Sequence, residues 1–191
     1  MNIAEVVKKA DEYFLAKQPY LAFKLYLDVI SYYRKNKKRI KVTDVILTAY
    51  NNAIVLGFYL ADSRNKLIEI RDLALEFLKV AKKSKDSEVY AQACFHAGVA
   101  HNALGEYDKS VKLLEDALVI FEILGNDEGV MLACRNLAEA YENLGLKNRA
   151  EVYRSRAEVL ARRLGESGRS AMSEAEWLFK KWKNVPWVIF R

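Results

Sequence analysis

At 191 residues and 52% apolar, with eight glycines and two prolines, the chain is long enough to bury a sizeable core and too apolar to be disordered. Thirty-one basic residues against 25 acidic ones leave a net charge of +6, and no run of 18 uncharged apolar residues offers a transmembrane helix. The opening stretch, Met1-Asn2-Ile3-Ala4-Glu5, lacks the apolar core of a signal peptide, so a cytoplasmic location is expected.

In chain order, residues 3–34 read as a first helical hairpin with Gln18-Pro19 as its turn. Pro19 suits the start of the second helix, where a missing N–H is harmless. Residues 20–34 are apolar nearly all round (Phe23, Leu25, Tyr26, Leu27, Val29, Ile30, Tyr32, Tyr33), so cover is expected on both sides of this helix. Residues 34–41 then carry six positive charges and no acid, which equals the net charge of the whole chain. This is either a solvated connector or an electrostatic site for a polyanion, centred on Lys37, Lys38 and Arg39. No aromatic interleaves with the run, which disfavours stacking on single-stranded bases.

A second hairpin is expected over about 43–83, capped by Thr43 or Asp44, and its second helix shows Leu67, Ile70, Leu73, Phe77 and Ala81 at helical spacing. A third, about 87–124, opens at Asp86-Ser87 with Ser87 as the expected cap. A fourth, about 127–164, opens at Asn126-Asp127. Residues 166–171 read as a polar linker. Ser173 to Glu176 then forms a capping box ahead of a short helix over 174–183, with Met172 stapled onto Trp177. The last stretch, 186–191, is extended and apolar and must cover something. Two units follow: a helical array over 1–165, and a capping helix with an apolar tail over 166–191.

The array repeats itself. Moved by 40 residues, 91–125 falls on 131–165 with nine of 35 pairs identical, including Ala93/Ala133, Cys94/Cys134, Ala100/Ala140, Gly105/Gly145, Ala117/Ala157 and Gly125/Gly165. The shared residues are small, apolar or helix-ending, so the common element is packing. Each unit cannot bury its apolar face alone and must stack on its copies.

Ala97-Gly98, His101, Leu104-Gly105-Glu106-Tyr107, Ser110, Leu114 and Ala117-Leu118 resemble the tetratricopeptide repeat (TPR), and Leu137-Ala138, Tyr141, Leu144-Gly145, Ala150 and Ala157 follow in the next copy. Departures fall at Leu146-Lys147 and Arg154, and at Gly57, where the family has Tyr. The 40-residue spacing resembles the long-helix variety. The resemblance implies an all-α, right-handed solenoid of about four hairpins, its concave face formed by the first helix of each. It also implies a non-enzymatic module that holds a peptide or protein partner there. Positions facing that groove in the family correspond to Asn51, Asn52, Phe58, His96, Asn102, Arg135, Asn136, Glu139 and Asn143. Asn52 and Asn136 match the family's asparagine slot, and His96 departs from it. Asparagine offers two donors and an acceptor, so a row of them can grip a backbone whatever its side chains. The alternative is that these amides bond neighbouring helices.

Catalytic signatures are missing. His96 and His101 are five apart, not the four that place two ligands on one helical face, and Glu139/Glu142 lack a third ligand. Neither a phosphate-binding glycine loop nor a nucleophile motif occurs. Cys94 and Cys134, in equivalent slots about 10 Å apart, are too far for a disulfide and read as buried thiols. No enzyme, cofactor or metal site is expected. Two further readings stand beside the groove: a homo-oligomeric scaffold joined through the C-terminal Trp/Phe segment, which could equally fold back as a cap, and a regulator whose basic loop contacts nucleic acid.

Overall fold

The computed structural model describes residues 1–167. The expected helix over 174–183 and the strip over 186–191 lie outside them. Among the described residues there are eight helices and no strand: α1 (Ile3–Leu15), α2 (Pro19–Asn36), α3 (Asp44–Leu60), α4 (Arg64–Ser84), α5 (Ser87–Ala103), α6 (Tyr107–Ile123), α7 (Asp127–Asn143) and α8 (Lys147–Ser167). They form four consecutive hairpins, α1–α2, α3–α4, α5–α6 and α7–α8. No described helix is long and apolar enough to cross a membrane.

Each helix packs on the next, and the odd-numbered helices also touch one another: α1 on α3, α3 on α5, α5 on α7. No two even-numbered helices approach as closely among the described residues; they are bridged by ion pairs of long side chains instead, Arg34 with Glu76 and Arg156 with Glu122. The result is a two-layer stack, with odd helices drawn together on one face and even helices splayed on the other. The odd helices carry Ala10, Ala49, Ala53, Ala93, Ala97, Ala100, Ala133 and Ala140, all fully buried.

The α2 helix buries Ala22, Tyr26, Val29, Ile30 and Tyr33, and Phe23, Leu25 and Leu27 on the flanks of that stripe pack half-buried against the core, so cover reaches both sides; Tyr20 and Leu21 at its start are exposed.

Four of the seven turns share one geometry. After α5, α6 and α7, Gly105, Gly125 and Gly145 take φ of +78°, +66° and +76°. The next N–H then reaches back to a carbonyl five residues earlier: Glu106 to His101, Asn126 to Phe121 and Leu146 to Tyr141, each at 2.9 Å. This arrangement satisfies carbonyls that a helix end leaves orphaned. The turn after α1 is built the same way, with Gln18 N–H on the Tyr13 carbonyl at 2.9 Å, but its left-handed residue is Lys17, φ 57°.

Three local expectations need correction. The cap of α5 is Asp86 rather than Ser87, because its Oδ1 accepts from the N–H of both Glu88 and Val89. Thr43 is the cap residue of α3 but makes no side-chain capping bond. Gly165, paired by sequence with Gly125, stays helical, and α8 runs on to Ser167 where a linker was expected from 166. Glycine permits the left-handed conformation without imposing it.

A lysine in the left-handed region carries a strain of about 1–2 kcal/mol that glycine would not, against a larger entropy loss for glycine on folding. Lys17→Gly is therefore expected to stabilise the fold by about 0.5–1 kcal/mol. An increase in urea midpoint at unchanged slope is the expected observation; a decrease would mean the lysine side chain contributes more than its backbone costs.

Candidate functional site

The polar residues of the odd-helix face form two groups. The first is a hydrogen-bonded chain that crosses four helices. Tyr26 on α2 donates its hydroxyl proton to Asp11 Oδ1 on α1. On α3, Asn52 Nδ2 donates to the Tyr26 hydroxyl at 3.1 Å, and Asn51 Nδ2 donates to Asn52 Oδ1 at 3.1 Å. His96 on α5 closes the chain with Nε2 at 2.9 Å from Asn51 Oδ1. An amide oxygen only accepts, so the proton of His96 sits on Nε2. Burial raises the Tyr26 hydroxyl above the usual tyrosine range, and its bond to Asp11 adds to this. Burial likewise holds His96 down to about 4.

The second group joins α5 to α7. Asn102 Nδ2 donates to the backbone carbonyl of Asn136 at 2.9 Å, and Asn136 Nδ2 donates to the Leu132 carbonyl at 2.9 Å. Asn136 is 1% exposed and Asn102 is 6% exposed. The Oδ1 of Asn102 is buried with no hydrogen-bond partner. Farther along α7, Asn143 Nδ2 bonds the Glu139 carbonyl at 2.8 Å, and both residues are exposed.

The sequence-predicted residues thus separate by exposure. Asn51, Asn52 and Arg135 are half-buried, Glu139 and Asn143 exposed, and His96, Asn102 and Asn136 buried. Phe58, 3% exposed, belongs to the core and joins neither group. Lys37, Lys38 and Arg39 are exposed on the connection between α2 and α3.

Other side chains in these networks carried no sequence signal. Arg34 belongs to the basic run, yet its Nε lies 3.0 Å from both oxygens of Glu76 on α4, and Tyr50 donates its hydroxyl to Glu76 Oε1 at 2.8 Å. Burial alone would raise the Glu76 carboxyl; the bonds from Arg34 and Tyr50 outweigh it and hold the group below its ordinary value. Aromatic rings continue the path inward, with Tyr50 stacked on Phe77 at 5.7 Å and Phe77 beside His96 at 6.5 Å. At the other end, a cleft of about 490 Å³ is lined by Glu115, Tyr141, Asn148, Arg149, Val152 and Tyr153. Tyr141 and Tyr153 stack there at 5.6 Å.

Neither cysteine is poised to act as a nucleophile. Burial pushes the thiols of Cys94 and Cys134 up to about 11, far from the thiolate range. Among the described residues no group of three His, Cys, Asp or Glu side chains could hold a metal ion.

The buried His96 makes stability depend on acid. An unfolded histidine binds its proton near about pH 6.5, whereas His96 in the fold resists protonation down to about 4. Between these values the unfolded chain binds the extra proton. Stability from this residue is therefore complete above about pH 6.5 and is lost as pH falls towards about 4, by up to about 3 kcal/mol. Urea midpoints measured from neutral pH down into that acid range are expected to fall more steeply for the wild type than for His96→Gln. Parallel curves would show that other groups carry the acid response.

No protein-family model and no curated protein matches the sequence. Solved structures do. The apo form of RapI superposes with a TM-score of 0.72 at 20% identity, over 94% of this chain and 66% of RapI. MamA gives a TM-score of 0.59 at 18% identity, over 90% and 80% of the two chains. A Podosopora anserina protein assigned as a kinesin light chain, with nearly identical TPR-like repeats, gives 0.61 at 18% identity, over 98% and 96%. At such identities the likeness is one of fold, and the fold of this chain is a TPR-like α-solenoid.

Proposed function

We propose that the chain is a protein-interaction module whose odd-helix face binds an extended segment of a partner protein. The observation that carries this reading is the pair of half-buried amides Asn51 and Asn52 on α3, linked to Tyr26 and His96 of the neighbouring helices. Next to α7, the buried Oδ1 of Asn102 has no hydrogen-bond partner, and a small opening of this edge on binding would give it one. The half-buried amides of Asn51 and Asn52 lie on the same layer of helices, and their hydrogen bonds already fix their orientation. Arg135 and Glu139 on α7 would then add side-chain selectivity.

Peptides selected from a random library on the full-length chain provide the test. Bound peptide is expected to slow hydrogen exchange in α3, α5 and α7 more than in the even helices. The double variant Asn51→Ala/Asn52→Ala and the single variant Asn102→Ala are each expected to weaken binding about tenfold, corresponding to one lost hydrogen bond to a buried group. Asn102→Ala removes one unpaired acceptor together with its bond to the Asn136 carbonyl, which keeps its partner within α7, so its melting temperature should change little. Protection confined to even helices, or unaltered affinity in both variants, would overturn the reading.

A further inference from the structure

We propose that one edge of the array, where α2 leads into α3 and α4 leads into α5, is a second binding surface, made for the phosphate backbone of duplex nucleic acid. It is independent of the groove.

Two basic runs, distant in sequence, meet there. The connection after α2 exposes Lys35, Lys37, Lys38, Arg39 and Lys41. The end of α4 exposes Lys79, Lys82 and Lys83, at spacings of three and four that share one helical face, followed by Lys85 at its left-handed C-cap. Because successive helices are antiparallel, α2 and α4 run in the same direction and end on the same edge. Arg34 fixes their register by gripping both oxygens of Glu76. Lys37, one turn beyond Arg34, is close enough to Glu76 to act on its carboxylate. The next turn of α4 is the one that carries Lys79. The Arg34–Glu76 pair thus takes one cation out of the edge and leaves the other nine exposed.

None of these nine forms an ion pair among the described residues. The nearby carboxylates are Asp44, Asp86 and Glu88, and Asp86 is occupied by capping α5. Lysines near helix C-termini also complement the helix dipole, but that effect fades beyond the last turn and does not require the charges after α2.

Eight of the nine are lysines, exposed point charges with no fixed fork to register a single group, which suits a diffuse array of phosphates. Residues 35–41 and 79–85 contain no aromatic on which a single-stranded base could stack. Ile40 and Val42 pack on the core, so no apolar wedge is offered to a bilayer. A rigid row of phosphates, read without sequence preference, fits what remains.

The test is fluorescence anisotropy of the full chain with DNA and RNA duplexes of about 20 base pairs and arbitrary sequence, long enough to offer both basic runs a row of phosphates. Single strands, phosphatidylserine vesicles and polyglutamate serve as competing probes over a salt series. Duplex binding is expected to weaken linearly with log salt, and Lys37→Ser/Lys38→Ser/Arg39→Ser is expected to reduce that slope by about 2.7, at about 0.9 per phosphate contact. Lys82→Ser/Lys83→Ser should act in the same direction. A control of equal charge, Lys8→Ser/Lys24→Ser/Lys112→Ser, should leave the slope within about one contact of the wild type. Three outcomes would overturn the proposal: no duplex binding at about 50 mM salt, an equal effect of the control, or tighter binding to any competing probe.

Discussion

Everything in this array depends on how closely neighbouring helices approach one another. Fully buried alanines run through both layers, and two glycines mark places where even a methyl group would not fit between an odd helix and its even-numbered neighbour. A Cβ on Gly98 would lie 2.7 Å from Leu114 Cγ, and one on Gly129 would lie 2.6 Å from Phe121 Cγ. With a side chain at these points, α6 could not seat against α5 or α7. Because one layer is drawn together and the other is not, the stack acquires an inner face. Polar side chains on that face are then carried to within bonding distance of the next helix.

The inner face is built to be stiff. From Asp11 to His96 each polar group is fixed by its neighbour, and the neutral His96 at the end of the chain has its tautomer set by Asn51. A buried network of this kind specifies register between hairpins, since a slip of one residue would leave several groups unpaired. It also fixes the orientation of Asn51 and Asn52, and the binding proposed for this face would lose correspondingly less ordering entropy. The basic edge is the opposite case. Its lysines are exposed and long, with only the Arg34–Glu76 tie beneath them held in place, so its contribution is long-range attraction rather than shape.

The architecture was legible in the sequence to a fine degree because it rests on local chemistry. Helix ends follow from Gly105, Gly125 and Gly145, from Pro19, and from Asn126, whose Oδ1 accepts from Gly129 N–H at 2.8 Å. Hairpin pairing follows from a repeat whose shared residues are the packing ones. Even so, Lys17 in a glycine's role and the helical Gly165 escaped, because left-handed propensity is a preference and the surrounding chain decides whether it is used.

The candidate site was legible as residue types on the right helices and no further. The sequence could place Asn51, Asn52, His96, Asn102 and Asn136 on first helices, since that follows from periodicity and the repeat. It could not say which amides would spend their hydrogen bonds inside the protein, because Tyr26 and Asp11, or Asn102 and Asn136, become partners only when helices pack. Nor could it distinguish Arg34 from the cations beside it; only the tertiary structure sets Glu76, 42 residues away, against that one guanidinium. Helix, turn and repeat are decided by neighbours along the chain, and the sequence determined those. Exposure, pairing and the grouping of distant charges are decided by neighbours in space, and those belonged to the fold.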